Sequence, residues 1–188
     1  MDIHQLQASY SVEHDRILVR LNTHAGEELR LWLTRRMVRG LFPHMIQASA
    51  DMAGPRTAGV SHDGGDDRAL RQFNRQEALG LADFQTPYDS NVTAFPIGTE
   101  PLLATSVGIS SAKDGCLRVG FKEQIPGVDG SRGFEVNLAL PLLHAFLHLL
   151  ESALKQADWG ISLGEVQALD DSNPLQAFAA AAPPKYLN

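Results

Sequence analysis

Six residues of this 188-residue chain combine the positive charge and aromatic surface that suit the binding of an anion. They are Arg20, Arg30, Trp32, Arg35, Arg36 and Arg39. Guanidinium groups bind carboxylates and phosphates through paired hydrogen bonds, and a tryptophan ring can lie against a guanidinium. The last three arginines fall in the first turns of a predicted helix, where free backbone N–H groups also favour an anion. These six are therefore the candidate ligand-binding residues.

The charge of the chain is unevenly distributed, which leaves three interpretations of these arginines open. Residues 14–75 hold ten of the twelve arginines, no lysine and seven acidic residues, a net charge of +3. The residues after them carry −7, and the whole chain carries −6. The arginines could pair with the protein's own acids, which is the favoured interpretation, since folding could lay the acidic C-terminal part against the basic section. They could instead bind a small anionic ligand or an acidic protein partner. Nucleic acid is the least favoured partner, since the protein is acidic and shows no known nucleic-acid-binding motif.

A predicted hairpin determines how two of the arginines meet. Apolar residues alternate along residues 16–21 and 29–34, which is typical of two antiparallel strands. A three-residue loop between them would place Gly26 in the left-handed conformation. In one register Arg20 lies opposite Arg30, which like-charge repulsion disfavours unless an anion lies between them. A shift by two residues pairs Arg20 with Trp32 in a cation–π contact instead.

A second group of polar residues lies on a predicted C-terminal helix. His144, His148 and Glu151 are spaced by four and three residues, so one helix face carries all three, as metal ligands require. The pattern of a zinc protease helix is absent, because Ala145 stands where its glutamate would be. Nearly every other direction of the helix is apolar. We therefore expect a solvated stripe, with Glu151 paired to Lys155.

Three further motifs lack the spacing that their chemistry needs. The acidic loop at residues 62–67 lacks the alternating acids and distal glutamate of a calcium loop. Cys116 has no nearby histidine pattern and is interpreted as a small buried residue. The glycines of residues 127–133 precede a predicted strand, whereas a dinucleotide fingerprint precedes a helix. The sequence thus predicts no metal site, no cofactor and no complete catalytic group.

Local patterns predict the elements that position the arginines. Residues 6–12 are expected to add an edge strand to the hairpin. Thr34 is a plausible N-cap for a helix that passes through Pro43, and a second helix is expected after Asp66. Alternation then predicts strands at residues 103–109, 117–121 and 134–138, before a helix from Pro141 to about Asp158.

These elements predict an α+β fold, with an antiparallel β-sheet and three main helices in the order ββ-αα-βββ-α. We expect one domain over residues 1–160 and a flexible tail, irregular or weakly helical, over residues 161–188. The single cysteine excludes an internal disulfide, and no signal peptide or membrane span is recognisable. The expected location is cytoplasmic.

Two runs resemble an uncharacterised bacterial, proteobacterial, family of cytosolic proteins. They are EHDRILVRLN at residues 13–22 and RLWLTRR at residues 30–36. The similarity is clearest over residues 10–45. It is weaker in ADFQTPY at residues 82–88 and in PKYL at residues 184–187. The resemblance implies a bacterial cytosolic protein. It carries no established activity, so it assigns no catalytic residue.

The sequence favours a non-enzymatic binding or regulatory domain. Its contact surface would be the arginine and tryptophan residues, and its partner an anionic ligand or an acidic protein. The alternative is an enzyme that acts on a small anionic substrate, holds it with the same arginines and takes a histidine or glutamate from elsewhere as its base.

Overall fold

The structure is a computed structural model that describes residues 3–53, 76, 79–80, 82–112, 114–125, 127 and 130–161. Strands and helices alternate in groups along these residues. In chain order they are β1 (Ile3–Ser11), β2 (Arg16–Thr23), β3 (Glu28–Thr34), α1 (Arg35–Met52), β4 (Leu102–Leu103), β5 (Ser106–Ser111), β6 (Leu117–Glu123), β7 (Arg132–Leu138) and α2 (Leu140–Ala157). The predicted α+β class is confirmed.

The first sheet has the strand order β1-β2-β3-β4. β1, β2 and β3 are antiparallel, and β1 is the predicted edge strand. The predicted three-residue loop joins β2 to β3: the Thr23 N–H donates to the Glu27 carbonyl at 3.0 Å, and Gly26 has a φ of +76°. β4 pairs with β3 in parallel, through Leu31 opposite Leu102. No sequence pattern predicted this parallel pair.

A second antiparallel sheet has the order β5-β6-β7. The strand predicted over residues 103–109 is divided between the two sheets, because its hydrogen-bond partner changes. The Ala104 N–H donates to the Trp32 carbonyl at 3.1 Å, and the next N–H, of Thr105, donates to the Lys122 carbonyl at 2.9 Å. The predicted antiparallel pairing is therefore confirmed for most strands, but the described strands form two sheets where one was expected.

Local chemistry accounts for the start of both described helices and for the end of α2. Thr34 caps α1 by accepting a hydrogen bond from the Met37 N–H at 3.2 Å, and the helix continues through Pro43. α2 has a proline in its first turn and ends at Ala157, followed by the C-cap Asp158 with a φ of +51°. The helix predicted after Asp66 lies almost entirely outside the described residues, as does the predicted tail from residue 162 onward. The described part of the chain therefore contains two of the three predicted helices.

Buried apolar residues from both sheets and both helices form one hydrophobic cluster. Along β2 and β3 the core positions alternate with polar ones, so one face of this sheet is apolar and the other carries charge. α2 packs against β1 and α1. Within the described part of the chain, neither helix has the length and apolarity needed to cross a bilayer.

Gly133 is the position in the second sheet where a side chain would not fit. A Cβ atom there would lie 2.7 Å from the Phe121 carbonyl oxygen, whereas at Gly120 it would meet only the flexible side chain of Glu135, at 3.4 Å. We expect Gly133→Ala to lower the free energy of unfolding by ~1–3 kcal/mol through overpacking. Gly120→Ala should change it by less than about 0.5 kcal/mol. Denaturant unfolding of both variants measures the difference, and equal stabilities would contradict the packing described.

Candidate binding surface

The pairing of β2 with β3 places Arg20 directly opposite Arg30. The alternative register is not formed, since Trp32 lies opposite Leu18. Two guanidinium groups side by side on one sheet face repel each other unless an anion lies between them. That anion belongs to the chain itself. It is Glu28, which lies two residues before Arg30 and therefore on the same face of β3.

Glu28 binds both guanidinium groups. Arg20 Nη2 donates to Oε2 at 2.8 Å, and Arg20 Nε donates to Oε1 at 3.4 Å. Arg30 Nε donates to Oε1, and the Tyr88 hydroxyl donates to Oε2 at 3.0 Å. The Glu28 side chain is completely buried, while 19% of the Arg20 side chain and 29% of the Arg30 side chain remain exposed. Both carboxylate oxygens are thus occupied by donors and shielded from water.

These contacts fix the protonation states of Glu28 and Tyr88. Burial alone would raise the pKa of Glu28, but the hydrogen bonds from Arg30, Arg20 and Tyr88 outweigh burial and lower it below its ordinary value of 4.5. Burial, followed by the negative charge of Glu28, raises the pKa of Tyr88. At neutral pH Glu28 is therefore ionised and Tyr88 remains a donor. A carboxylate in this state holds the sheet together and has no free oxygen to act as a base.

Residues 82–101 cross the charged sheet face as a long connection, which we call the strap. The Tyr88 ring lies 4.4 Å from the guanidinium carbon of Arg20, and the Phe95 ring lies 4.7 Å from that of Arg30. Arg30 also donates to the Thr99 carbonyl at 3.2 Å. Each guanidinium therefore has the Glu28 carboxylate on one side and an aromatic ring of the strap on another, an arrangement that favours a cation.

Hydrogen bonds hold the strap at both sides of the sheet. Near β1, the Asp89 N–H donates to Gln5 Oε1 at 2.8 Å, and the Asp89 carbonyl accepts from Asn22 at 3.1 Å. Beside the β2–β3 loop, the Glu28 N–H donates to the Ala94 carbonyl at 2.9 Å. The strap thus satisfies polar groups of the sheet as well as covering its charges.

The counter-charge of Arg20 and Arg30 comes from a neighbouring residue of the same strand pair, Glu28. The favoured interpretation, that the arginines pair with acids of the protein itself, is confirmed for Arg20 and Arg30, but the acid does not come from the C-terminal part. Glu28 lies inside the basic section itself. The alternation of β3 already places Glu28 and Arg30 on one face, so this partner was detectable from the sequence. The roles of Tyr88 and Phe95 were not, because the strap has no periodic pattern.

Trp32 contacts the turn between β1 and β2 instead of the strap. Its ring centroid lies 5.0 Å from that of His14, and its side chain is half-buried. The next residue of the turn is Asp15, which accepts hydrogen bonds from Trp159 and Tyr10, each at 2.8 Å. These bonds lower the pKa of Asp15, and the charge of Arg35 lowers it further. The turn therefore lies beside both Trp32 and Arg35.

Arg35, Arg36 and Arg39 are exposed at the start of α1, and the first turn of this helix contains no acidic residue. Within the described residues, Arg39 forms no hydrogen bond or ion pair, and Arg35 has only the electrostatic attraction to Asp15. Cations at a helix N-terminus oppose the helix dipole, so these positions are unfavourable for the isolated fold. We call Trp32, Arg35, Arg36 and Arg39 the α1 corner. The six predicted site residues are thus divided into a neutralised pair and this corner.

The solvated polar stripe predicted on α2 is confirmed only in part. Glu151 and Lys155 form the expected pair, with 3.9 Å between their charged atoms. The expectation that His144 is solvated is wrong, because only 7% of it is exposed. His148 lies against the ring of Phe84 at the start of the strap, with 5.1 Å between centroids. The approach of other elements to this helix face, which helical periodicity does not reveal, explains the difference.

The other motifs add no chemistry to the described surface. Cys116 is half-buried, and burial, followed by the charge of Asp114, raises the pKa of its thiol. A thiol with a raised pKa is a poor nucleophile. Within the described ranges, no three His, Cys, Asp or Glu residues gather as metal ligands would. The acidic loop at residues 62–67 lies outside those ranges.

Removal of the Glu28 charge should lower the stability of the fold. Glu28→Gln leaves two partly buried guanidinium groups without a counter-charge, so we expect the free energy of unfolding to fall by about 3 kcal/mol. Tyr88→Phe removes one hydrogen bond and should cost about 1 kcal/mol. Glu13→Gln makes the same chemical change at an exposed position and is the control. Denaturant unfolding at pH 7 measures all three, and equal stability of the Glu28 and Glu13 variants would refute the proposed role.

The same carboxylate should make stability depend on pH. The pKa of Glu28 is lowered by folding, so its contribution is present above its ordinary pKa of 4.5 and is lost as the pH falls through the folded value. We expect the difference in unfolding free energy between the wild type and Glu28→Gln to shrink below pH 4.5. Asp15 and Asp83 also have lowered pKa values, so the difference is the informative quantity. A difference that stays constant in acid would contradict the assignment.

Comparison with known proteins gives no relative for this chain. No family model matches the sequence. No curated protein matches it, and no solved structure matches the fold. The proposals below therefore depend on the residues of this chain alone.

Proposed function

We propose that this protein is a non-enzymatic binding domain that contacts an acidic segment of a partner protein through the α1 corner. The proposal is based on a difference between the arginines in how far other residues neutralise their charge. Arg20 and Arg30 are neutralised by Glu28, whereas Arg35 and Arg39 are exposed and, among the described residues, only Arg35 has an electrostatic partner, Asp15. Arg39 of the corner thus presents positive charge without a partner among the described residues, and Arg35 adds a charge that only attracts Asp15 electrostatically.

The shape of the corner favours an extended partner over a small anion. Arg35 and Arg39 are one helical turn apart and both extend into solvent, while Trp32 presents part of a flat ring on the sheet. Exposed cations bind a single small anion weakly, because water competes for the same groups. Several such contacts along an acidic segment add together, and tryptophan and arginine are the residues that contribute most at protein interfaces.

An enzyme acting on a small anionic substrate is the competing proposal, and one observation relates to it. Glu28 is a shielded carboxylate beside two arginines, which resembles a substrate clamp with a base. Its oxygens are already occupied by Arg20, Arg30 and Tyr88, however, and its lowered pKa makes it a weak base. These contacts favour a structural role for Glu28, and they favour the binding domain over the enzyme.

The test is a titration of the isotope-labelled protein with a hexaglutamate peptide, a nucleotide and a phosphosugar, followed by backbone amide shifts. We expect the peptide to move the amide signals of residues 30–39, with an affinity that falls as salt is added. Arg35→Glu combined with Arg39→Glu should weaken peptide binding about tenfold, since each exposed contact contributes up to about 1 kcal/mol.

The control is the pair Arg118→Glu and Lys122→Glu, which makes the same charge change on the exposed face of the second sheet. This variant should bind the peptide nearly as well as the wild type. If both double variants lose affinity equally, the attraction is a general effect of net charge and the α1 corner is not the site. If only the nucleotide or the phosphosugar moves these signals, the partner is a small anion and the acidic-segment proposal is wrong.

A further inference from the structure

β5 is an edge strand without the features that normally protect an edge. It forms one side of the second sheet, and within the described part of the chain no strand pairs with its outer edge. Residues Ser106–Ser111 contain no charge and no proline, and their pairing with β6 is regular, without a bulge. Edge strands usually carry at least one of these features, because their free N–H and C=O groups otherwise pair with another chain.

The sequence of β5 is symmetric about Gly108. Residues 106–110 read Ser-Val-Gly-Ile-Ser, with valine and isoleucine in equivalent places. Ser106, Gly108 and Ser110 point to the exposed face of the sheet, and Val107 and Ile109 are half-buried on the other face. A strand with this symmetry matches an antiparallel copy of itself.

We propose that β5 pairs with β5 of a second copy of this chain about a two-fold axis at Gly108. In this register Val107 lies opposite Ile109 of the copy, Ser106 lies opposite its Ser110, and Gly108 lies opposite Gly108. The two three-stranded sheets become one six-stranded sheet. The partly exposed edges of Val107 and Ile109 are covered by their counterparts, and the free backbone groups of both edges are satisfied.

The charges around β5 are compatible with this two-fold arrangement. Arg118 and Lys122 of β6 lie beside Ser110 and Ser106, respectively. In the proposed dimer, Arg118 of one copy and Lys122 of the other are separated by three strand spacings, roughly 14 Å, which exceeds the screening length at physiological salt. A self-pairing strand that carried a charge at Gly108 would place like charges face to face, and the strand has none.

Gly108 provides a direct test, because its position is open in the isolated chain. A Cβ atom there would meet no atom within 4 Å, so Gly108→Lys should fold normally. In the dimer it places two lysines opposite each other, which should weaken association about fivefold or more. Sedimentation of the full chain measures the association of the two copies. Concentrations up to about 1 mM are needed, because a contact of one strand pair is small and the dimer is expected to be weak. Gln156→Lys on the exposed side of α2 is the control for added charge.

Mixing oppositely charged variants separates strand pairing from other causes. Gly108→Lys and Gly108→Glu should each associate more weakly than the wild type, while an equimolar mixture should form a heterodimer of at least wild-type affinity. The wild type should also show slower amide hydrogen exchange at Val107 and Ile109 as its concentration rises. A wild type that stays monomeric overturns the proposal. A dimer that Gly108→Lys leaves unchanged, or that the mixture does not restore, places association elsewhere and also overturns it.

Discussion

The structure depends on the neutralisation of two guanidinium groups that strand pairing brings together. Arg20 and Arg30 are opposite each other on β2 and β3, and the completely buried carboxylate of Glu28 lies between them. Without that anion, this register would be repulsive. With it, the charged face becomes a surface on which the aromatic rings and polar groups of the strap can pack. The cluster of Arg20, Glu28 and Arg30 therefore connects the register of the hairpin with the course of residues 82–101.

This interaction also explains how an acidic protein presents a basic surface. The chain carries a net charge of −6, yet its basic section has two different environments. One part is neutralised internally, beneath Tyr88 and Phe95. The other part, at the start of α1, extends into solvent beside Trp32. The second group is therefore the more accessible one, and the net charge of the whole chain says little about either.

Much of the fold was predictable because its signals are local. Alternation along β2 and β3, the loop with Gly26 and the cap at Thr34 each depend on residues close in sequence, and all three were confirmed. The features that were wrongly predicted, or not predicted at all, concern contacts between distant segments. The division of residues 103–109 between two sheets, the burial of His144 and the placement of Tyr88 over Arg20 depend on how elements pack. For the site, the residue types were predicted, but the separation of the arginines into two groups required the register.

The most direct test of that separation is the exchange of the arginine Nε–H protons with water, measured by NMR on each side chain. Arg20 and Arg30 donate these protons to Glu28, whereas Arg35 and Arg39 are exposed. A hydrogen-bonded and shielded proton exchanges slowly. The predicted result is slow exchange at Arg20 and Arg30 and fast exchange at Arg35 and Arg39. Equal rates at all four side chains would contradict the division of the basic section.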